Sequence, residues 1–247
     1  MSKNISKFRF KQFSVSHHRS SMKVGVDGVL IGCWTDVRGA GRILDVGTGC
    51  GLIALIMAQR APAAHIDAID IDVPSIEEAA ENIAASPWSD RVSAFCCGYS
   101  EVSSMLQGEG QGYDLIISNP PYFDSGVTET VTAREKARHQ GDLSPSTLLR
   151  GACNILTPGG SVSMVMPYGL TESIERQAAD LGYRLTRKCL FRGHEGAPYK
   201  RVLLQWNLED CASRNMENVT RYLTLETSPG EPTDEYRTLC KDFYLRF

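Results

Sequence analysis

Residues 119–122 read Asn-Pro-Pro-Tyr and directly follow the apolar-rich residues 114–118. Two consecutive prolines supply no backbone donor and fix two φ angles, so neither a strand nor a helix continues through them. The Asn119 side-chain oxygen and the Pro120 carbonyl can accept both N–H hydrogens of an amino or amide nitrogen, which directs its lone pair towards an electrophile. Pro121 holds these acceptors rigidly, and Tyr122 can stack on a flat target. Alone, the motif also fits an ordinary turn.

A second pattern, the glycine loop from Asp45 to Gly51, joins an apolar strand to a helix in the order Asp-Val-Gly-Thr-Gly-Cys-Gly. Gly47, Gly49 and Gly51 allow a tight turn and remove side chains where a ligand approaches the backbone. Asp70 ends the next strand and can accept both hydroxyls of a ribose. The carboxylate of Asp45 would repel a pyrophosphate but suits the cationic methionyl part of S-adenosylmethionine. The loop therefore favours that cofactor over a dinucleotide.

Short apolar strands alternate with amphipathic helical segments from residue 42 onward, which predicts an α/β fold with a mostly parallel sheet covered on both faces. Seven strands are expected, at 42–46, 65–70, 91–96, 113–118, 160–166, 183–191 and 201–208. The last two form an antiparallel hairpin at the sheet edge. Helices are expected at 51–60, 74–85, 100–107, 146–156 and 169–181, and a short strand at 217–226 and a helix at 235–245 follow.

Composition excludes several classes of protein. The chain has 247 residues, a net charge of −3 and 42% hydrophobic residues, and its longest apolar runs are too short to span a membrane. The N-terminus has charges where a secretory signal needs an apolar core, so we expect a cytoplasmic protein with no membrane attachment. The eight cysteines form no C-x-x-C pair and the five histidines are scattered, so we expect reduced thiols and no metal.

Basic residues are concentrated in two segments, which could contact RNA phosphates or could form solvated faces. Residues 184–201 hold six cations and one acid, Glu195. The N-terminal arm has six cations and no acid before Asp27, namely Lys3, Lys7, Arg9, Lys11, Arg19 and Lys23. Residues 123–145 lack clear periodicity directly after the Asn-Pro-Pro-Tyr motif, so this loop is expected to be functional. Its Arg134, Arg138 and His139 could face phosphates, or the two arginines could lie on an exposed helix.

Several segments together resemble the bacterial tRNA1(Val) (adenine-37-N6)-methyltransferase family over almost the whole chain. They are Phe10–Phe13, Met22–Trp34, the glycine loop, Asn82–Trp88, Asn119–Tyr122 and Ala133–Arg138. The resemblance implies a Rossmann-like class I methyltransferase that methylates N6 of adenine 37 in a valine tRNA, with S-adenosylmethionine as cofactor and no obligatory protein partner. It also implies one methyltransferase domain at 42–247, preceded by a basic arm and cofactor-covering segment at 1–41.

The resemblance assigns roles to individual residues. Lys23, Gly25 and Asp27 would close over the methionyl end of the cofactor, and Asp70 would hold the ribose. Thr48 and Ile71 are further expected cofactor contacts. The expected tRNA contacts come instead from the basic arm and from the loop after the motif, and they are Lys11, Arg134, Arg138 and His139. Gly98 departs from the pattern, because the family usually places an aspartate there to bind the adenine amino group; backbone or water contacts are expected instead.

Two other functions share parts of this pattern. A protein glutamine-N5 methyltransferase acting on release factors would use the same Asn-Pro-Pro-Tyr chemistry on a side-chain amide. It would also need a separate N-terminal helical domain, whereas about 40 residues precede the first strand. A non-catalytic module that binds S-adenosylmethionine and RNA would not need the intact motif. The basic arm favours RNA over a protein substrate.

Overall fold

The computed structural model of the chain describes residues 7–106, 112–120, 143–209 and 219–247. Its strands are β1 (Phe8–Arg9), β2 (Ser14–Val15), β3 (Arg42–Val46), β4 (His65–Asp70), β5 (Val92–Cys96), β6 (Tyr113–Ser118), β7 (Leu156–Pro167), β8 (Tyr183–His194), β9 (Arg201–Leu208), β10 (Val219–Ser228) and β11 (Glu231–Pro232). Its helices are α1 (Val26–Trp34), α2 (Leu52–Arg60), α3 (Val73–Ala84), α4 (Val102–Met105), α5 (Pro145–Ala152), α6 (Thr171–Asp180) and α7 (Asp234–Cys240), with 3-10 turns at Tyr99–Glu101 and Tyr168–Leu170.

Nine strands form the main sheet, in the order β11-β10-β8-β9-β7-β6-β3-β4-β5. Strands β5, β4, β3, β6 and β7 run parallel, and β9 is antiparallel to both β7 and β8. The predicted α/β class with a C-terminal antiparallel hairpin is confirmed. The predicted count of seven strands is wrong, because β10 pairs in parallel along the outer side of β8 and β11 folds back on β10. The hairpin is therefore interior and not at the edge.

Both faces of the sheet are covered by helices, which is why its central strands are apolar along their whole length. On one face α1, α2, α3 and α7 pack against Ile43 and Val165, and on the other face α4, α5 and α6 pack against Leu44 and Met164. Each strand sends alternate residues to opposite faces. The carboxyl ends of the parallel strands thus meet at one edge of the sheet, called here the carboxyl edge.

Helix α1 is not predicted by the sequence, because its β-branched residues and two glycines disfavour a helix. Close packing against α2 explains why it forms. A Cβ atom at Gly32 would lie 2.8 Å from Cγ2 of Ile56, and one at Gly28 would lie 3.2 Å from Cδ2 of Leu52. The two glycines thus let α1 approach α2, which begins at the glycine loop. Tertiary packing here outweighs local propensity.

Other boundaries differ from the prediction. Helix α5 ends at Ala152, before the predicted 156, because Leu156 already pairs with Tyr113 as the first residue of β7. The helix expected at 100–107 is a 3-10 turn followed by the four residues of α4, and the terminal helix ends at Cys240. No described helix is long and apolar enough to cross a membrane. The described residues also contain no group of three or more His, Cys, Asp or Glu side chains that could hold a metal ion.

Candidate active site

A cavity of about 1090 Å³ opens at the carboxyl edge, between the loops that follow β3, β4, β5 and β6. Sites for small molecules typically measure roughly 300–1,000 Å³, so this one has room for a large ligand and part of a second. Many of the predicted site residues line it, namely Lys23, Gly25, Asp27, Gly47, Thr48, Gly49, Asp70, Ile71, Gly98 and Asn119.

The glycine loop has the left-handed backbone that only glycine adopts without strain. The φ angles of Gly47, Gly49 and Gly51 are +70°, +56° and +83°. The amides of Gly47 and Thr48 both donate to the carbonyl of Ile69, each at 2.9 Å, so the loop is fixed against β4. Gly51 was expected at the ligand, but it does not line the cavity. A Cβ atom there would make only an ordinary contact with that of Ala79, at 3.4 Å, so the left-handed φ of +83° is what favours glycine at this position.

Asp45 lies beneath the glycine loop and is fully buried. Its Oδ2 accepts from the Thr48 hydroxyl and from the amide of Ala54 at 3.0 Å, while Oδ1 has no partner among the described residues. Burial raises the pKa of this carboxyl to about 7. Asp45 does not line the cavity. It therefore holds the loop onto α2, and its charge can act on a cationic ligand only through space.

Asp70 lies at the wall of the cavity, where it also fixes the loop. Its Oδ2 accepts from the amide of Gly49 at 2.9 Å and its Oδ1 from the amide of Asp72 at 3.0 Å. Burial raises the pKa of the carboxyl, against the effect of these two hydrogen bonds. A carboxylate can accept about four hydrogen bonds in all. Asp70 thus keeps acceptor capacity for a pair of hydroxyls in the cavity.

Residues 16–25, called here the strap, cross the cavity from the N-terminal side and are held by α3. The buried carboxylate of Glu78 accepts from the amides of His18 at 2.7 Å, Arg19 at 3.1 Å and Ser20 at 2.8 Å. These contacts satisfy three successive donors with one charged group. Glu78 lies 58 residues from Ser20 in the chain, so no local pattern in the sequence indicates that it belongs to the site.

Asn82 joins the strap to the glycine loop. Its side-chain oxygen accepts from the amide of Ser16 and its Nδ2 donates to the carbonyl of the same residue, both at 2.8 Å. The same Nδ2 donates to the carbonyl of Cys50 in the glycine loop at 2.9 Å. Helix α3 therefore holds both the glycine loop and the strap in place on the two sides of the cavity.

The strap leads into the N-terminus of α1, which completes this side of the cavity. Gly25 precedes the helix and accepts from the amide of Val29 at 3.3 Å. The carboxylate of Asp27 in α1 forms an ion pair with Nε of Arg201 on β9 at 3.1 Å. This contact also joins the N-terminus of α1 to the β8–β9 hairpin. Lys23 lines the cavity between these anchors.

Asn119 reaches the cavity from the end of β6. The preceding Ser118 is buried, and its hydroxyl donates to the carbonyl of Val46 at 2.8 Å, which links the ends of β6 and β3 just before each enters the site. Asn119 is half-buried and lines the cavity, and Pro120 is buried. The other predicted residues of this region, Pro121, Tyr122, Arg134, Arg138 and His139, lie outside the described residues.

The wall opposite the strap contains polar groups that the sequence analysis did not identify. Gly98 lines the cavity, but its amide donates to Oε2 of Glu101 at 2.6 Å. Tyr99 donates its hydroxyl to the carbonyl of Leu148 at 2.9 Å and so joins this wall to α5. Further hydroxyl, amide and guanidinium groups on the wall come from Ser100, Ser103, Thr147, Arg150 and Asn154.

Lys11 was expected to contact the substrate, but the structure does not bring it to the cavity. Its ammonium group donates to the carbonyls of Lys241 and Phe247 at the C-terminus of the chain. It lies beside Arg60, at the end of α2 remote from the glycine loop. Arg19, another cation of the arm, pairs with Glu81 of α3. Both cations therefore hold the arm to the protein.

Comparisons with known proteins are consistent with this geometry. A family model described as "Methyltransferase small domain" matches residues 29–175. A protein of Bacteroides fragilis named tRNA1(Val) (adenine(37)-N6)-methyltransferase is 40% identical over 241 residues, which cover 97% of this chain and 98% of that protein. A protein of Trichodesmium erythraeum with the same name is 38% identical over 244 residues, which cover 98% of this chain and 99% of that protein.

Among solved structures, a predicted O-methyltransferase, protein Atu636 from Agrobacterium tumefaciens, superimposes with a TM-score of 0.64. The match covers 88% of this chain and 96% of that one at 18% identity, so it shows the shared fold.

Proposed function

The chain belongs to the tRNA1(Val) (adenine(37)-N6)-methyltransferase family, and on that premise we propose that it transfers a methyl group from S-adenosylmethionine to N6 of adenine 37 in a valine tRNA. The observation that carries the proposal is one cavity lined by two chemically different sets of groups. The glycine loop and Asp70 form a surface that fits a nucleoside, and Asn119 lines the same cavity at the end of the neighbouring strand β6. An enzyme with this substrate would act in the cytoplasm, which is part of the proposal.

The residues present fit S-adenosylmethionine. Gly47 and Gly49 line the cavity without side chains of their own, and Asp70 has acceptor capacity for the ribose hydroxyls. Lys23, Gly25 and Asp27 would cover the methionyl end. The wall around Gly98 would contact the adenine. The Gly98 amide already donates to Glu101, so the hydroxyl and amide groups beside it would form the hydrogen bonds to the base.

The chemistry at Asn119 requires a more nucleophilic nitrogen. When bound, S-adenosylmethionine supplies a methyl group on a sulfonium, so the N–C bond forms as the S–C bond breaks. The lone pair of N6 is delocalised into the purine ring. By accepting the two N6 hydrogens, the side-chain oxygen of Asn119 and the carbonyl of Pro120 would direct this lone pair towards the methyl group. N6 then loses one proton to solvent, so no general base is needed before transfer.

Asn119 is held in place for this role by the elements around it. The Ser118 hydrogen bond to Val46 joins β6 to β3 one residue before Asn119, and the buried Pro120 fixes the backbone after it. Pro121 and Tyr122 would complete the motif by rigidity and by stacking on the adenine. Arg134, Arg138 and His139 are proposed to contact phosphates near the target.

A protein glutamine-N5 methyltransferase would use the same acceptors on an amide nitrogen. The names of the relatives and the match along almost their whole length favour tRNA over a release factor.

Incubating the protein with isotopically labelled S-adenosylmethionine, and with either unmodified bulk tRNA or release factors, separates these functions. The proposal predicts label in tRNA alone. Label in the release factors would contradict it, and label in neither substrate would favour a binding module without catalysis.

A further inference from the structure

Strands β8 and β10, together with the β8–β9 loop, carry a cluster of aromatic and cationic side chains that the methyl-transfer site does not use. The guanidinium of Arg192 lies 5.1 Å from the ring centroid of Tyr199, and the rings of Tyr199 and Tyr222 are 5.5 Å apart at an angle of 58°. Nε of Arg192 donates to the Thr224 hydroxyl at 3.0 Å. These contacts preorganise a cation and two rings in one group, called here the Tyr199 cluster.

The cluster lies on a part of the sheet that no described helix covers. In the parallel register Tyr222 is opposite Leu190, which faces the same core as α6. Helix α6 packs mainly against β8, and Tyr222 remains 61% exposed. Its neighbour Leu223 points to the other face and is buried. Burial in the core therefore explains why residue 223 is apolar, but it does not explain why residue 222 is aromatic.

The position of the cluster relates it to the active site. Strand β8 ends at the same carboxyl edge as β6 and β7, as the pairing of Pro167 with Arg201 and of Arg201 with Phe191 shows. Strands β8 and β10 are three and four positions from β6, or roughly 14–19 Å from the end that carries Asn119. A ligand that passes Asn119 and continues along this edge reaches the cluster.

The side chains of the Tyr199 cluster indicate which kind of ligand it would bind. A single exposed tyrosine needs no explanation, but two contacting tyrosines with a stacked guanidinium form the kind of surface on which unpaired bases stack, because every base has a flat π face. No carboxylate among the described residues pairs with Arg192. The nearby Lys200 and His194 are exposed, and so is one acid in the same loop, Glu195.

We propose that the Tyr199 cluster is a stacking platform for unpaired tRNA nucleotides near the target adenine. The inference rests on the proposed function and extends it from the methylated base to its neighbours. The platform would hold the RNA strand at a second point, so that the target adenine enters the cavity from a strand fixed on both sides. Its contribution would be to tRNA affinity, and neither cofactor binding nor the methyl transfer itself would depend on it.

Substitutions at Tyr222 test the proposal with little risk to folding, since most of the side chain is exposed. Tyr222→Leu should raise the KM for tRNA by roughly fivefold to a hundredfold, the range expected for one stacked base. Tyr222→Phe keeps the π face and should remain near wild type. Both variants should keep the wild-type kcat, the Kd for S-adenosylmethionine and the thermal midpoint of unfolding.

A matched pair of arginines provides the control. Arg221 is next to Tyr222 on β10, but its register partner Cys189 faces the opposite core. Arg192→Gln and Arg221→Gln each remove one positive charge from adjacent strands, on opposite faces of the sheet. We expect only Arg192→Gln to raise the KM for tRNA.

The outcomes distinguish the two proposals. A wild-type KM in Tyr222→Leu, or equal losses in the two arginine variants, would overturn the stacking platform while leaving the methyltransferase assignment intact. If the wild-type protein itself does not methylate tRNA, the proposed function fails before the platform is tested.

Discussion

The carboxyl edge has a cofactor side and a target side, and different chemical groups form the two sides. On the cofactor side, at the ends of β3, β4 and β5, carboxylates hold backbone amides: the buried Glu78 holds three amides of the strap, and the half-buried Asp70 holds Gly49. On the target side, from β6 to β10, the corresponding groups are side chains: Asn119, which lines the cavity, and the exposed Tyr222 of the proposed platform. On the cofactor side, the backbone is held in a fixed shape before a ligand binds. On the target side, the surface is formed by side chains on the strands.

This difference indicates how the two ligands are handled. A small cofactor of fixed shape is best bound by backbone groups that cannot move, whereas a tRNA is bound over a long surface by a few separated contacts. Changes on the cofactor side should therefore alter cofactor affinity, and changes on the target side should alter turnover or tRNA affinity. Each prediction below tests this division.

The largest effect is expected at Asn119. Asn119→Ala removes one acceptor from the target nitrogen, so kcat should fall by roughly 100-fold to 1,000-fold, the range seen when one polar group that stabilises a transition state is removed. The Kd for S-adenosylmethionine should stay within about threefold of wild type. Steady-state kinetics with tRNA and calorimetry with the cofactor measure the two quantities. Asn154→Ala makes the same change at another cavity asparagine and should leave kcat near wild type; equal losses would contradict the role of Asn119.

The next effect is expected at Asp70, on the cofactor side. Asp70→Ala removes a charged acceptor from two hydroxyls and from the Gly49 amide, so the Kd for S-adenosylmethionine should rise at least about tenfold. Calorimetry measures it. Asp72→Ala is the matched control, because Asp72 lies two residues away and caps α3 through Ser75. A larger loss in Asp72→Ala than in Asp70→Ala would place the ribose contact at Asp72.

A smaller effect is expected where the strap is fixed. Glu78→Gln replaces an acceptor-only carboxylate by an amide whose NH₂ cannot accept from the strap, so residues 18–20 should exchange their amide hydrogens faster. The KM for S-adenosylmethionine should rise by about threefold to tenfold, with kcat near wild type. Glu77→Gln alters the neighbouring, exposed carboxylate, which lies 3.8 Å from Arg19, and should change neither quantity. If both variants behave alike, the strap is not held by Glu78.

The smallest effect is expected from the titration of Asp45. Its pKa is about 7, so the carboxyl loses its proton between pH 6 and pH 8 and gains a charge that attracts a cationic ligand through space. The affinity for S-adenosylmethionine should rise by about twofold to threefold over that range and should be flat for Asp45→Asn. A wild-type affinity that falls as the pH rises would contradict this placement of charge.

The same titration affects stability in the opposite sense. The folded pKa of Asp45 lies above the ordinary value of 3.8. Between about pH 4 and pH 7 the unfolded chain has therefore released this proton while the folded chain retains it, so this residue's contribution to the free energy of unfolding falls as the pH rises. The difference in denaturation free energy between wild type and Asp45→Asn should change in that direction across this window.

Local patterns in the sequence predicted the parts of the site that are local in the fold. The glycine loop and Asn119 lie at the ends of β3 and β6, and Asp70 is the last residue of β4, so a parallel sheet brings them to one edge. Contacts between distant segments could not be predicted in this way. Glu78 and Ser16 belong to segments some 60 residues apart, and nothing in the pattern of α3 indicates that its side chains hold the strap.

Packing also overruled local signals in the fold. Helix α1 forms although its glycines and β-branched residues disfavour it, because Gly28 and Gly32 fit against α2. Lys11 belongs to a basic arm that suggested RNA contact, but its partners are carbonyls at the far end of the chain. A cluster of charged residues in the sequence therefore does not show where their side chains lie in the folded protein. Strand β10 was expected as a short strand, but its parallel pairing with β8, which makes Tyr222 part of a surface, depends on the tertiary fold.

The central claim is that the two sides of this edge bring a cofactor methyl group to N6 of adenine 37. Nucleoside mass spectrometry of valine tRNA transcripts incubated with the protein and S-adenosylmethionine tests it most directly, with adenosine or guanosine at position 37. The account predicts close to one N6-methyladenosine for each adenosine-37 transcript and none for the guanosine-37 transcript. A methyl group on any other nucleoside, or an equal yield from the two transcripts, would contradict it.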